Sequence, residues 1–152
     1  MELHHAPFLM YELTKEVRIL VESMAHKKNL SLDLVLNTEI IINADRQLIK
    51  QVLVNLLSNA IKFSPDGEAI ALTYTANETH HVFGVADHGH GIPEDKIATL
   101  FDPFVQIREH QNESIKGSGL GLSIVKKIIE LHHGKVWIIF LTIESQIGRA
   151  HV

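Results

Sequence analysis

The sequence predicts an α/β two-layer sandwich, with a mixed, mostly antiparallel sheet and helices on one face. Three observations carry this expectation. Apolar residues recur at three- and four-residue steps over 46–63 and again over 120–131, as on buried helices. Strand-like runs come in neighbouring pairs, at 30–36 with 40–42 and at 69–76 with 82–86, which is how hairpins read. The resulting order is helix, two strands, helix, two strands, short helix, long loop, helix, strand. Paired strands between helices favour an antiparallel sheet over the strand–helix alternation of a doubly wound fold.

Each element has a local reason. Residues 1–10 carry Pro7 and read as irregular. From 11 to 27 Leu13, Val17, Leu20, Val21 and Met24 mark a helical face, and Asn29 is a suitable stop. Leu30 to Leu36 alternates as a half-buried strand, Asn37-Thr38 turns, and Ile40-Ile41-Ile42 is a short second strand. Asp45 is placed to cap the helix that follows. Ser64-Pro65-Asp66-Gly67 is a strong turn signal. Two strands, 69–76 and 82–86, then flank Asn77-Glu78. A short helix is expected after Pro93, where Glu94 and Asp95 suit its N-terminal dipole. Residues 102–118 are polar and unpatterned, the character of a lid or binding loop. The last helix is expected to stop at Gly134, and 135–141 reads as the final strand.

Bulk properties narrow the function. The 152 residues are ordinary for one globular domain, 45% hydrophobic and 21% charged. Eighteen acidic residues against fourteen basic ones give a net charge of −4, with no Lys/Arg run, so no nucleic-acid surface is expected. Cysteine is absent, which removes disulfides and thiolate metal sites. The longest apolar run, Val136 to Leu141, falls far short of the roughly 20 residues that span a bilayer. The expectation is a cytoplasmic domain with no direct membrane insertion, compatible with a membrane-anchored parent. Eleven histidines are many, but the adjacent pairs His4-His5, His80-His81 and His132-His133 diverge in direction and chelate poorly.

The helix over 46–63 is the most informative stretch. Gln51, Asn55, Asn59 and Lys62 share one face of an otherwise apolar helix. Asn offers a neutral oxygen to a hard cation and Lys neutralises phosphate, so the stripe suits a magnesium-bound polyphosphate. A solvent-facing polar stripe on a core helix explains it equally well at this point.

Two glycine-rich segments bear on that choice. Asp87-His88-Gly89-His90-Gly91 directly follows a strand. Alternate glycines admit close backbone approach to a ligand, and a buried Asp there needs a donor such as a purine amine. A strand-ending turn would account for the two glycines as well. Lys116-Gly117-Ser118-Gly119-Leu120-Gly121-Leu122 opens a helix, where exposed N–H groups attract phosphate. It lacks the Gly-Lys-Ser/Thr ending of a P-loop and the preceding strand of a dinucleotide fingerprint.

Four ordered motifs then carry a resemblance to the ATP-binding catalytic domain of sensor histidine kinases. That family belongs to the superfamily of gyrase, MutL and heat-shock chaperone ATPases. Residues 55–63 resemble the N box, 87–93 the first glycine box, 100–104 the F box and 117–125 the second glycine box. The resemblance runs from about Phe8 to Ile138 and implies a Bergerat-type ATP-binding fold over 11–138. It implies ATP and magnesium as cofactors. Asn55 would hold the metal, Asn59 and Lys62 would contact phosphates, and Phe63 would lie near the base. Asp87 would take the adenine amine in a pocket shaped by Gly89, Gly91 and Ile92. Gly117, Ser118, Gly119, Leu120, Gly121 and Leu122 would bring backbone amides to the phosphates, with Phe101 and Phe104 anchoring the lid.

The chain departs from the family twice. The family phosphorylates a histidine followed by an acid on a separate dimerisation hairpin, and no histidine here stands in that motif; His26 precedes Lys27-Lys28. The expectation is that the hairpin was lost before Met1, that 1–10 is a linker remnant, and that the chain is monomeric and inactive in transfer alone. A response regulator would be a partner of the full-length parent. Beyond residue 138 the sequence stops matching the family, and 147–152 resembles a translated sequencing adapter. A foreign tail over 139–152 and a missing last strand are therefore expected.

The resemblance implies a γ-phosphoryl donor domain. Self-contained ATPases of the same superfamily, and the anti-sigma serine kinases, carry a glutamate one turn before the magnesium Asn. Here that position is Gln51, whose carboxamide cannot take a proton from water. A regulatory nucleotide-binding module without transfer activity is the alternative of a different class.

Overall fold

The computed structural model describes residues 2–34, 36–76, 80–86, 121–133, 136–138 and 148–151. In chain order these form β1 (Ala6–Leu9), α1 (Met10–Lys27), β2 (Ser31–Asp33), β3 (Ile41–Ala44) and α2 (Arg46–Phe63). There follow β4 (Ala69–Ala76), β5 (His81–Ala86), α3 (Gly121–Leu131), β6 (Val136–Ile138) and β7 (Gly148–His151). The strands make a five-stranded sheet in the order β2-β4-β5-β7-β6 and a two-stranded sheet of β1 with β3. The α/β class and the mixed, mostly antiparallel sheet agree with the sequence expectation; among the described strands only β2 pairs in parallel, with β4.

Three expectations are corrected. The first two strands do not form a hairpin. The outer one shortens to Ser31–Asp33 and joins β4, while β3 pairs antiparallel with β1, Phe8 opposite Ile42. Ile42 and Ala44 are buried and Ile41 and Asn43 exposed, so the alternation is real but serves another partner. Residues 6–9, read as irregular, are that partner. Pro7 is tolerated because β1 pairs on one side only, at the edge of a two-stranded sheet. Lastly, the last strand is present. Residues 148–151 form β7, which inserts between β5 and β6, Val85 opposite Gly148 and Val136 opposite Ala150.

The helical layer is built around α2. One side of α2 offers Ile49, Leu53, Leu57 and Ile61 to a core shared with Met10, Leu13, Val17 and Val21 of α1. Ile70 and Leu72 of β4 and Phe83 and Val85 of β5 complete that core. The opposite flank offers Leu48, Val52 and Leu56 to Ile124, Val125, Ile128 and Ile129 of α3. On β4, Ala69, Thr73 and Thr75 face outward and are exposed, as a two-layer arrangement requires. No described helix is long and apolar enough to cross a membrane.

Local chemistry ends each helix. α1 closes with a paired reverse turn: Leu30 N–H donates to Ala25 O at 3.0 Å and Asn29 N–H to His26 O at 3.0 Å. Asn29 takes the left-handed conformation this needs, with φ 54°, as its place in the sequence suggested. On α3 the left-handed residue is His133, φ 60°, one position before the glycine expected to serve. Gly67, φ 84°, turns the chain from α2 into β4.

The start of α2 is held by a buried network. Asp45 accepts from Leu48 N–H at 3.2 Å and from His4 N–H at 3.0 Å. Its own N–H donates to His132 Nε2 at 3.0 Å, and His132 Nδ1 lies 2.8 Å from Ile128 O. A carbonyl only accepts and an N–H only donates, so these partners fix His132 as the Nδ1–H tautomer. The His4 N–H bond, with help from Leu48 N–H, holds the Asp45 carboxyl below the usual aspartate value. A group depressed in the folded state stabilises above its ordinary value and stops doing so as pH falls through its folded value. Asp45→Ala is therefore expected to cost about 1 kcal/mol at neutral pH, the usual worth of a cap. The difference from wild type should shrink below about pH 4. Urea denaturation of both proteins at pH 7 and pH 3.5 measures this; an equal gap at both values contradicts it.

Candidate functional site

The candidate site is the polar face of α2. That helix forms where the sequence placed it, 46–63, because its apolar residues have core to meet on two flanks and Asp45 caps it. Between those flanks the stripe emerges. Asn55, Asn59 and Lys62 are half-buried on it, while Gln51 is exposed. Phe63 ends the helix with 37% of its surface exposed, unusual for a phenylalanine beside a core. Ser58 Oγ donates back to Asn55 O at 3.2 Å, within the helix's own turn. The donor set, two carboxamides and one ammonium with no carboxylate, fits a metal that brings its own phosphate ligands better than a bare cation. Among the described residues no cluster of three or more His, Asp or Glu side chains forms a metal site of its own.

α3 supplies the second side. His132, just past its end, bonds Asp45, at the start of α2. The two helices therefore run antiparallel, and the first turn of α3 points toward the C-terminal half of α2. Its 11 residues, at a rise of about 1.5 Å each, extend roughly 16 Å and bring Gly121 to about the level of Asn55. Leu56 and Ile124 join the same α2–α3 cluster, in keeping with that level. A glycine-headed helix N-terminus thus stands beside the polar stripe. Leu122 is half-buried in its first turn.

The structure so brings together Asn55, Asn59, Lys62 and Phe63 on α2, with Gly121 and Leu122 on the helix packed against it. Asp87, Gly89, Gly91, Ile92, Phe101, Phe104, Gly117, Ser118, Gly119 and Leu120 lie outside the described residues, as do the short helix after Pro93 and the lid. Asp87 is the residue directly after β5.

Sequence reading missed two side chains that shape the site. Lys28 reaches the C-terminal carbonyls of α2, donating to Ile61 O at 2.7 Å, Lys62 O at 3.1 Å and Ser64 O at 2.6 Å. Burial pushes its ammonium below the usual lysine value, and Asp66 opposes the shift. His132 holds the opposite end of the same helix. Their sequence signals are faint, a lysine and a histidine each just beyond a helix end; nothing local says which element either one reaches. Glu16 of α1 also pairs with Arg46, and more distantly with Lys50 at 3.8 Å, across to α2. That pairing, chiefly the Arg46 bond, lowers the Glu16 carboxyl below its usual value.

Comparison with known proteins gives the site its context. The family described as histidine kinase-, DNA gyrase B-, and HSP90-like ATPase matches residues 44–150. The chain is 36% identical over 126 residues to the sensor histidine kinase TmoS of Ectopseudomonas mendocina, covering 82% of this chain and 13% of TmoS. It therefore spans only a small part of that relative's length. The catalytic domain of histidine kinase ThkA superposes with a TM-score of 0.82 at 33% identity, covering 100% of this chain and 95% of that one. ThkA is also known in complex with the response regulator protein TrrA. Full-length ShkA in complex with AMPPNP superposes with a TM-score of 0.84 at 29% identity, covering 100% of this chain and 31% of ShkA. With two thirds of its length matched by the family and an almost complete overlap with a solved kinase catalytic domain, the chain belongs to the histidine kinase-, DNA gyrase B-, and HSP90-like ATPases, as an ATP-binding domain of the sensor histidine kinase kind.

Proposed function

We propose that this chain holds ATP and magnesium and donates the γ-phosphoryl group to a histidine on a dimerisation hairpin of its parent kinase. The observation that carries the reading is the half-buried row Asn55, Asn59 and Lys62 beside the glycine-headed start of α3. Asn55 is the magnesium residue, Asn59 and Lys62 face phosphates, and Phe63 lies at the base end. Asp87, Gly89, Gly91 and Ile92 complete the adenine pocket. Gly117, Ser118, Gly119, Leu120, Gly121 and Leu122 present amides to the phosphates. The AMPPNP complex of ShkA supports the nucleotide class, and the ThkA–TrrA complex supports a response regulator as partner of the parent. In the same reading residues 1–10 enter from the linker to the hairpin, with 6–9 pairing on β3, and 139–152 are a tail of foreign origin whose 148–151 complete the sheet as β7. Agreement of the parent gene's reading frame past residue 138 would overturn the second of these statements.

Mixing the chain with a separately made acceptor hairpin and labelled ATP tests transfer. Acid-labile label on the hairpin histidine is expected; nucleotide binding without any such label leaves a regulatory module instead. Gln51 bears on the competing reading of a self-contained ATPase. It is exposed one turn before Asn55 and offers no carboxylate to activate water. Magnesium-dependent phosphate release by the chain alone is accordingly expected to stay at background. Steady turnover in a coupled phosphate assay would favour the ATPase reading.

A further inference from the structure

From the three bonds of Lys28 to the end of α2 we infer that this residue positions the nucleotide site without touching nucleotide. The inference rests on the reading of the α2 stripe as a nucleotide wall. An ammonium has three protons, and here three backbone carbonyls lie within bonding distance, those of Ile61, Lys62 and Ser64. The last carbonyls of a helix have no partner within it, and their negative dipole end favours a cation. Two of these carbonyls belong to the turn that carries the side chains of Lys62 and Phe63. Lys28 therefore grips the backbone directly beneath two of the four residues assigned to ligand on this helix.

The grip is rigid because both of its ends are fixed. Lys28 is the residue between α1 and left-handed Asn29, and the paired reverse turn sets where it stands. The α2 end returns the contact: Gly67 N–H donates to Lys28 O at 2.9 Å, and Ser31 N–H donates to Glu68 O at 3.0 Å. Residues 28–31 and 61–68 are thus zipped at three levels. The C-cap of α2, Ser64, contributes its own N–H to Ala60 O at 3.0 Å, so the helix closes with its carbonyls turned to Lys28. A half-buried lysine spending all three protons on the end of α2 loses much side-chain entropy, so the arrangement needs a structural return. That return is a defined exit for α2, with Lys62 and Phe63 held in one orientation.

The test is a double-mutant cycle on fluorescent ATP-analogue affinity in the 152-residue chain. Lys28→Met keeps the aliphatic stem and removes the tripod; Lys28→Arg keeps the charge but presents a planar fork. Lys28→Met is expected to weaken binding about tenfold, and Lys62→Ala to cost far less in that background than in wild type. Asn55→Ala, nearly two turns earlier, is expected to cost the same in both. Lys28→Arg should fall between wild type and Lys28→Met. If Lys28→Met does not fold, the same cycle with Lys28→Arg serves. Wild-type affinity in the folded Lys28 variants, or equal coupling to Lys62 and Asn55, overturns the inference and leaves Lys28 a stabilising contact only. Failure of the wild-type chain to bind the analogue at all would instead defeat the nucleotide reading itself.

Discussion

Asn55→Ala is expected to lower magnesium-dependent ATP affinity about a hundredfold, the scale for losing one contact to a charged group inside a site. The expectation follows from placement. Asn55 is half-buried at the centre of the α2 stripe, about level with the first turn of α3, and a carboxamide can offer a hard neutral oxygen to a cation there. The fold should barely notice. Alanine is the better helix former, and the apolar flanks of α2 are untouched, so the thermal midpoint should move by no more than about 3 °C. Titration of a fluorescent ATP analogue with magnesium and with a chelator separates the outcomes. Loss of the magnesium effect alone supports the metal role. Unchanged, metal-independent binding in the variant removes it.

The largest effect on stability is expected from Leu57→Ala. Leu57 is fully buried in the middle of α2, in the core shared with α1, β4 and β5. Removing three carbons there leaves a cavity between layers that are each braced by other contacts, so little collapse is possible. The expected cost is about 3 kcal/mol. In a chain of this length that lowers the thermal midpoint by roughly 10 °C. The urea midpoint should fall with an unchanged slope, since the same surface is exposed on unfolding. A loss under 1 kcal/mol would mean that α2 is not the packing centre of the core. Because α2 is at once the centre of the core and the wall of the site, the variant's remaining folded fraction is also expected to bind nucleotide more weakly.

How much of this was legible in advance depended on the range of the interaction involved. Helix α2, expected over about 46–63, is legible because its periodicity, its Asp45 cap and the Ser-Pro-Asp-Gly turn are all local. The β4–β5 hairpin was read for the same reason. The stripe of Asn55, Asn59 and Lys62 needed only helical geometry. What failed was partner choice. The alternation of β3 is visible, but alternation says that a strand has a buried face and not which strand lies beside it. Ala6–Leu9 is too short and too polar-flanked to announce itself, and it becomes a strand because β3 offers it an edge. Gly148–His151 shows no strand pattern at all. It is β7 because the opening between β5 and β6 leaves unpaired backbone on both sides, and backbone pairing accepts almost any side chain.

The sequence by itself determined the local parts of the candidate site. Residue types at fixed helical spacing set the α2 stripe, glycines mark the approach to α3, and position 51 carries a carboxamide in place of a carboxylate. Only the tertiary structure decided how those parts are held. The antiparallel packing of α3 on α2, the His132 bond to Asp45 across 87 positions and the Lys28 tripod across 33 to 36 positions are contacts that have no local signature. Spacing within one helix is fixed by covalent geometry and can be read from the letters. Contacts between helices are fixed by how whole faces fill space, and that is settled only when every element has found its place.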